Sequence, residues 1–428
     1  MNTKNTYTIN NYQTKKTFSS FLSAIAGKMG VPIWSFYVNR GQLITSFGTR
    51  DKNGSIIEFF PANGAYINTN KYGFRTFIKI DGKVYEFFGE AKDSQTMSIR
   101  RDQVSISEIN EDLKLKVKIT YYTLPNEDEG ALVRKVEIFN LGDKRVIEVI
   151  DGLPQILPAG VDYGGYKAVS NLLQSWMEAS NHNDVMFYKL RASTGDSSEV
   201  SAVNDGNYYY TTANNLDINY IYDYKRVFGY DTSLTKPVNF ENETLTEILK
   251  ETQVSVNQVP AAFSVIKHNL DKSLSFISLV GYASDISSLK IISKNFNYNY
   301  LLEKEEENRL IHEELVDKIK TETAFPIYDE YVKQNFMDNV LRGGIPLVFE
   351  TKDGIRGYHI YSRKHGDLER DYNFFSIEPK FYSQGNGNFR DVLQNRRNDL
   401  YFVPEIVDSN LIQFASLIQA DGYNPLSI

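Results

Sequence analysis

The chain has 428 residues, of which 41% are hydrophobic and 24% charged, and its formal net charge is -7. These are the proportions of a soluble globular protein, and the length exceeds what one core usually supports, so we expect two domains. The charge balance lacks the basic excess of a nucleic-acid-binding protein. Because the chain has no cysteine, it forms neither a disulfide nor a thiolate metal site.

The segment from Lys15 to Ala26 has the outline of a secretory signal peptide without its apolar core. Ser19, Ser20 and Ser23 interrupt the hydrophobic residues, which leaves the stretch too polar for that role. No run of eighteen apolar residues, the length of a membrane span, occurs in the sequence. We therefore expect a cytoplasmic protein, and the lack of cysteine favours a reducing compartment.

From Ile33 to about Ala283 the hydrophobic residues follow the period of two that is typical of β-strands. The clearest strand is Leu113 to Tyr122, in which apolar residues alternate with lysine and threonine. A sheet with one solvated face is antiparallel, so this pattern predicts a large antiparallel β-sandwich. The other predicted strands are Leu132 to Phe139, Val146 to Ile150, Gln253 to Val259, Phe263 to His268 and Ser273 to Tyr282.

Two short pairs of residues predict turns between strands. Asp81-Gly82 separates two apolar runs, and Asn53-Gly54 precedes another, and such pairs tolerate the positive φ angles of tight hairpin turns. The chain also has 29 tyrosines and 26 phenylalanines. The runs Tyr208 to Tyr210 and Tyr220 to Tyr224 suit a glucan groove, but packing on a sheet is the interpretation we favour.

A helical period begins near Leu301 and continues to about Leu341. Its first apolar face consists of Leu302, Leu310, Ile311, Leu315 and Ile319. We expect Pro326 to end this helix, and Tyr328 to Leu341 to form a second one. Beyond it the chain is polar, aromatic and rich in glycine until a last predicted helix, Leu411 to Ala420.

The densest group of polar side chains lies between Gly385 and Asp399. Gly385 and Gly387 allow a tight turn that approaches a ligand closely. Arginine, aspartate, glutamine and asparagine follow, and these side chains bind sugar hydroxyls through paired hydrogen bonds. A structural ion-pair network explains the same residues equally well. The candidate substrate-binding residues are Arg390, Asp391, Gln394, Asn395 and Asp399.

The order of residues in this segment resembles that of the cellobiose phosphorylases, a family of inverting glycoside phosphorylases. In that family a phenylalanine-tyrosine pair, here Phe381-Tyr382, precedes a glycine-rich turn. Phenylalanine, arginine and aspartate follow, here Phe389 to Asp391, with a glutamine nearby, here Gln394. The resemblance implies that the segment lies early in an (α/α)6 barrel and that Arg390 faces the donor glucose.

Other stretches resemble more closely the related 1,3-β-oligoglucan phosphorylases. They are Phe18 to Leu22, Gly30 to Gln42, Asp151 to Pro154 with Leu157 to Gly160, and Gly366 to Asn373 with Asn395 to Asp399. The resemblance thus extends over nearly the whole chain. It reaches only the N-terminal half of those enzymes, whose general acid, phosphate-binding residues and C-terminal β-domain lie later in the sequence.

The segment departs from the family at Asn395, where an aspartate holds the donor sugar in the cellobiose phosphorylases. Either Asn395 acts as a neutral substitute or Asp399 takes over the role. We do not interpret Asp391 and Asp399 as an acid and base pair. An inverting hydrolase needs two carboxyl groups, whereas a phosphorylase uses phosphate, already an anion, in place of the activated water. No residue of this chain is therefore assigned a catalytic role.

Together these observations predict a fold that is mainly β and then α. We expect an antiparallel β-sandwich over residues 1–295, a helical linker over 296–345, and the incomplete start of an (α/α)6 barrel over 346–428. The five histidines are scattered, so we expect no metal site, and no cofactor is implied.

The expected function is that of the N-terminal part of a β-glucan oligosaccharide phosphorylase, which forms glucose 1-phosphate with inversion. The chain alone is expected to be inactive. The implied partners are a β-glucan oligosaccharide and inorganic phosphate as co-substrate. The chain is either a fragment of the enzyme or is completed by a second polypeptide that supplies the rest of the barrel. A homodimer is compatible with the sequence, and neither nucleic acid nor membrane is expected. The alternative is a non-catalytic carbohydrate-binding or assembly module built on the same sandwich.

Overall fold

Alternating apolar residues, the pattern of strands with one buried face, recur through most of the first 300 residues. A computed structural model describes residues 6–23, 25–27, 30–31, 33–49, 52–60, 63–194, 198–199, 201–343, 346–359, 389, 393 and 396–425. Contacts divide the chain into two units. Unit one consists of Met1–Thr49 and Asn53–Asn308, and unit two of Arg50–Lys52 and Arg309–Ile428.

Unit one is built mainly from strands. In chain order its described strands are β1 (Tyr7–Asn10), β2 (Ser19–Phe21), β3 (Ile33–Val38), β4 (Ile44–Thr49), β5 (Ser55–Ile57), β6 (Arg75–Ile80), β7 (Lys83–Phe87), β8 (Gln95–Ile99), β9 (Val104–Asn110), β10 (Leu115–Thr123), β11 (Ala131–Asn140), β12 (Arg145–Leu153), β13 (Met177–His182), β14 (Val185–Leu190), β15 (Gly206–Ala213), β16 (Asn219–Ile221), β17 (Ala262–Leu270) and β18 (Ser273–Ala283).

The strands form three sheets within the described part of unit one. The largest has nine strands in the order β1-β8-β9-β10-β11-β18-β15-β14-β13, the second has five in the order β16-β17-β12-β6-β7, and the third is β2-β3-β4-β5. The strand with alternating lysines is β10, which pairs antiparallel with both β9 and β11. The predicted large antiparallel sheets are therefore confirmed.

The turn between β6 and β7 follows from its two residues. Ile80 pairs with Lys83, so Asp81 and Gly82 alone connect the strands. Asp81 has a φ of 49° and Gly82 one of 77°. Positive φ at both positions defines a type I′ turn, whose twist matches that of the flanking strands. The hairpin predicted at Asp81-Gly82 is confirmed, and it places β7 at the edge of the five-stranded sheet.

The core of unit one lies between the nine-stranded and five-stranded sheets. Apolar side chains from both sheets form one buried cluster, which includes Val117, Ile119 and Val136 from the first sheet and Ile78, Val149 and Ile266 from the second. Each fully buried aliphatic side chain contributes roughly 1.5–3 kcal/mol to folding. Tyr208 and Tyr209 are also fully buried, so these tyrosines pack in the sheet as favoured and do not line a groove.

Helices cover the outer faces of the two sheets. The helices of unit one are α1 (Asn63–Tyr72), α2 (Tyr163–Val169), α3 (Lys225–Phe228), α4 (Val238–Asn242), α5 (Leu245–Lys250), α6 (Ile286–Asn295) and α7 (Tyr298–Asp317), the last of which extends into unit two. Leu289 and Ile292 of α6 pack on the nine-stranded sheet. Phe240 of α4 and Leu245 of α5 pack on the five-stranded sheet.

Unit two contains α8 (Pro326–Gly343), a hairpin of β19 (Pro346–Thr351) and β20 (Gly354–His359), α9 (Asp399–Phe402) and α10 (Ser409–Ser416). Pro326 begins α8 and does not end the preceding helix, because proline fits the first turn of a helix, where its missing N–H is not needed. The (α/α)6 barrel remains a prediction, since most of residues 360–395 lie outside the described part. Among the described helices, none combines the length and hydrophobicity of a membrane span.

Candidate functional site

Of the five predicted substrate-binding residues, the structure describes Asp399. Its side chain is buried at the start of α9. Asn410 Nδ2 donates to Asp399 Oδ2 over 2.8 Å and to the carbonyl of Arg396 over 3.2 Å. Arg396 Nη1 lies 3.6 Å from the same carboxylate oxygen. Burial lowers the pKa of the Arg396 guanidinium, and the Asp399 carboxylate opposes that effect.

Arg390, Asp391, Gln394 and Asn395 lie outside the described residues, as do Phe381 and Tyr382. Their assignment to a donor-sugar subsite therefore stays a prediction. Phe389, which begins the phenylalanine-arginine-aspartate motif, is buried against Phe414 of α10 with ring centroids 5.6 Å apart. Through this contact the first residue of the motif packs against α10 in unit two.

Removal of the Asp399 carboxylate tests whether this residue stabilises unit two or contacts the sugar. We expect Asp399→Ala to lower the stability of unit two by about 1–3 kcal/mol, because the Asn410 amide loses a buried acceptor. Both tryptophans, Trp34 and Trp176, lie in unit one. Far-UV circular dichroism should therefore show earlier melting, while tryptophan fluorescence stays unchanged. Unchanged melting together with weaker sugar binding would instead make Asp399 a sugar contact.

A second group of charged residues is fully buried between the two large sheets of unit one. Arg134 of β11 pairs with Asp151 of β12, and both side chains are 0% exposed. Arg134 Nη2 donates to Gln42 Oε1 over 2.6 Å and to Thr76 Oγ1 over 3.1 Å. Thr76 Oγ1 in turn donates to Asp151 Oδ1 over 2.6 Å. We call these four residues, together with Tyr121, the buried network.

Within the buried network, the surroundings of Arg134 favour its charged form, and those of Tyr121 favour its neutral form. Burial alone would lower the pKa of Arg134, but the Asp151 carboxylate and Tyr121 together outweigh burial, and the pKa is raised. Burial raises the pKa of Tyr121 to about 12, with Arg134 opposing the effect. The Tyr121 hydroxyl accepts from Arg134 Nε over 3.2 Å. Asp151 belongs to one of the stretches that resemble the glucan phosphorylases, and its environment here is that of a structural residue closed to ligands.

A cleft opens at the edge of the five-stranded sheet, in unit one. We call it the β7-edge cleft and define it by Arg75, Tyr85, Glu86, Lys92, Glu108 and Asn110. Its volume is about 450 Å³. Strand β7 provides one wall, the end of β9 another, and the last turn of α1 contributes Asn70 and Lys71. The sequence carries no local signal for this cleft, because its residues come from separate segments.

Two ion pairs hold the polar side chains of the β7-edge cleft in place. Arg75 Nε and Nη2 donate to the two carboxylate oxygens of Glu86 over 2.6 and 2.7 Å. Lys92 Nζ donates to Glu108 Oε1 over 3.0 Å. The backbone N–H of Phe88 donates to Glu108 Oε2 over 2.7 Å, which fixes that carboxylate further. The bidentate Arg75–Glu86 pair is the stronger kind of ion pair, because two parallel hydrogen bonds set its geometry.

No protein-family model matches the chain, and no curated protein matches it. Solved structures resemble it weakly. A bacterial glucoamylase complexed with acarbose has a TM-score of 0.42 at 9% identity, over 99% of this chain and 55% of that one. The GH92 inverting mannosidase BT2199 from Bacteroides thetaiotaomicron VPI-5482 has a TM-score of 0.34 at 8% identity, over 82% and 38%.

A candidate kojibiose phosphorylase from the human microbiome has a TM-score of 0.26 at 10% identity, over 80% of this chain and 33% of that one. These structures are glycoside hydrolases and a glycoside phosphorylase, and the three names do not include a cellobiose phosphorylase. The scores are too low to carry an argument about activity. The chain spans about half the length of the glucoamylase and less of the other two.

Proposed function

We propose that the chain is the N-terminal part of a β-glucan oligosaccharide phosphorylase. The observation that carries this proposal is the order Phe389-Arg390-Asp391 with Gln394 after a glycine-rich turn. The large antiparallel sandwich of unit one supports it, because the resemblance implies a sandwich in that position. Arg390, Asp391, Gln394 and Asn395 are the proposed contacts to the donor glucose, with Asp399 a contact or a support of the segment.

The proposed reaction is the cleavage of a β-glucosidic bond by inorganic phosphate. A phosphate oxygen forms a bond to the anomeric carbon while the bond to the glycosidic oxygen breaks, and a general acid protonates the leaving oxygen. Attack from the opposite face inverts the configuration, so a β-glucoside yields α-glucose 1-phosphate. The chain's proposed part is to hold the donor sugar in position for this attack. Positioning of the reactants lowers the activation barrier of such a displacement substantially.

Sugar binding by the chain itself tests the proposal. We expect laminaribiose, which has a β-linkage, to bind more tightly than maltose, its α-linked counterpart, in calorimetric titrations of the purified chain. A donor subsite shaped for a β-glucoside presents its hydrogen-bonding groups in positions that the α-linked sugar does not match. Equal affinities for the two disaccharides would count against the proposal.

We expect the purified chain to release no glucose 1-phosphate from laminari-oligosaccharides. In the enzymes that it resembles, the general acid and the phosphate-binding residues belong to a later segment, and a displacement without its acid loses about 10²–10⁴-fold in rate. Incubation with laminaritriose and phosphate, followed by enzymatic detection of glucose 1-phosphate, checks this. Phosphate-dependent product from the chain alone would overturn it.

A further inference from the structure

The β7-edge cleft has the composition of a binding site that the proposed function does not use. Its volume of about 450 Å³ lies within the range of roughly 300–1,000 Å³ that small-molecule sites occupy. Its lining mixes two aromatic residues, Tyr85 and Phe87, with two ion pairs and amide groups. We propose that this cleft binds a neutral polyhydroxylated ligand the size of a mono- or disaccharide, at a site in unit one that is independent of residues 385–399.

The charges of the cleft favour a neutral ligand over an anion. The cationic groups of Arg75 and Lys92 each contact a carboxylate, Glu86 and Glu108 respectively. Glu90 adds a third carboxylate and Lys71 a third cationic group to the lining, so its formal charges balance. A phosphate or another anion would bring its charge close to these carboxylates and would weaken both ion pairs. Hydroxyl groups carry no net charge, so they meet no such repulsion.

The same ion pairs leave hydrogen-bonding capacity that suits hydroxyl groups. Lys92 Nζ carries three hydrogens, and its side chain is 40% exposed while it contacts Glu108. Glu86 is 24% exposed and, with two oxygens, accepts further hydrogen bonds beyond those from Arg75. A sugar hydroxyl both donates and accepts, so a single hydroxyl can bridge an ammonium group and a carboxylate.

The wall of the cleft adds a flat apolar surface and backbone groups. Tyr85 is partly exposed at the lining, and an aromatic ring packs against the C–H face of a sugar. Among the residues that the structure describes, strand β7 pairs only with β6, so part of its backbone N–H and C=O groups faces away from the sheet. Rigid strands and paired charges hold these groups in position before any ligand arrives, which lowers the entropic cost of binding.

Calorimetric titration with glucose tests the proposal. We expect Lys92→Ala to weaken glucose binding at the cleft about tenfold, the effect of losing one hydrogen bond to a charged group. Lys71→Trp, at an exposed position in the lining, should weaken it as well by filling the cleft. Because Lys71 takes no part in the Lys92–Glu108 contact, this second variant separates loss of the site from loss of that contact.

Lys118→Ala is the matched control. Lys118 is 41% exposed and pairs with Glu137 on the nine-stranded sheet, away from the cleft lining, so its loss should leave glucose binding unchanged. Lys92→Ala and Lys71→Trp should lower only the glucose binding that belongs to the cleft, whereas Arg390→Lys should lower only that of the proposed donor subsite, which separates this proposal from the proposed function. Glucose binding that neither Lys92→Ala nor Lys71→Trp weakens would overturn the inference. Tight binding of inorganic phosphate that Lys92→Ala abolishes would overturn it in favour of an anion site.

Discussion

Asp151→Ala is expected to lower the free energy of unfolding of unit one by about 3–5 kcal/mol, the usual effect of breaking a buried ion pair. The substitution leaves the fully buried Arg134 guanidinium without its carboxylate partner, and it removes the acceptor of Thr76 Oγ1. Urea denaturation followed by tryptophan fluorescence measures the effect, because Trp34 and Trp176 both lie in unit one.

The exposed pair Lys118–Glu137 provides the control for this result. Its nitrogen and oxygen lie 3.4 Å apart and Glu137 is 23% exposed, so Glu137→Ala should change stability by less than about 1 kcal/mol. A double variant, Arg134→Met with Asp151→Leu, should recover much of the loss, since apolar residues of similar volume replace buried pairs well. An effect of Asp151→Ala as small as that of Glu137→Ala would contradict the structural role of the buried network.

Arg390→Lys is expected to weaken laminaribiose binding by about 1.5–3 kcal/mol, the range of a hydrogen bond to a charged group. Lysine keeps the charge but loses the planar fork that makes two parallel hydrogen bonds. Titration in the Lys92→Ala background limits the contribution of the β7-edge cleft to the measured heat. Circular dichroism melting of the same two proteins shows whether the substitution also affects folding.

The two roles open to Arg390 lead to different results in this pair of measurements. If the guanidinium contacts the donor sugar, affinity falls and the melting temperature changes little. If it belongs instead to a structural ion-pair network, the melting temperature falls and the affinity of the folded protein stays the same. The second result would remove Arg390 from the proposed sugar contacts.

The strands of unit one were predictable because a single local rule governs them. A sheet with one buried face requires alternation, and β10 has it in the sequence itself, with partly exposed Lys116 and Lys118 alternating with buried Leu115, Val117 and Ile119. The Asp81-Gly82 turn follows a similar rule about positive φ. Such patterns involve only about five to ten neighbouring residues, so they can be recognised in the sequence. The order of the strands in the sheets cannot be predicted from them and is known only from the structure.

Other elements depended on contacts that the local pattern does not contain. The prediction of a strand from Gln253 to Val259 is wrong, because only Val256 bridges to a strand, at Glu178 of β13. Gln253 Oε1 instead accepts from the backbone N–H of Tyr222, and Gln258 Nε2 donates to the carbonyl of Val254. The hairpin of β19 and β20 was missed, although Asp353-Gly354 is a turn signal and Gly354 has a φ of 102°.

The sites show the same division between local and distant information. Residues 385–399 were singled out because their polar side chains are consecutive. The β7-edge cleft and the buried network combine residues far apart in sequence, as Arg134 and Gln42 do across 92 positions. Only the pairing of β6 with β12 and the packing of the two sheets bring such groups together. Asp399 is an intermediate case. The motif that contains it could be recognised in the sequence, but its contact with Asn410 could not be predicted.

Phosphorolysis in the presence of a second polypeptide that supplies the later segment of the proposed barrel tests the central claim most directly. The two polypeptides are mixed with laminaribiose and inorganic phosphate, and proton and phosphorus NMR identify the sugar product and its anomeric configuration. Our account predicts α-glucose 1-phosphate that forms only when both polypeptides and phosphate are present, and that forms more slowly with Arg390→Lys. Free glucose released at the same rate without phosphate, or no phosphate-dependent product at all, would contradict it.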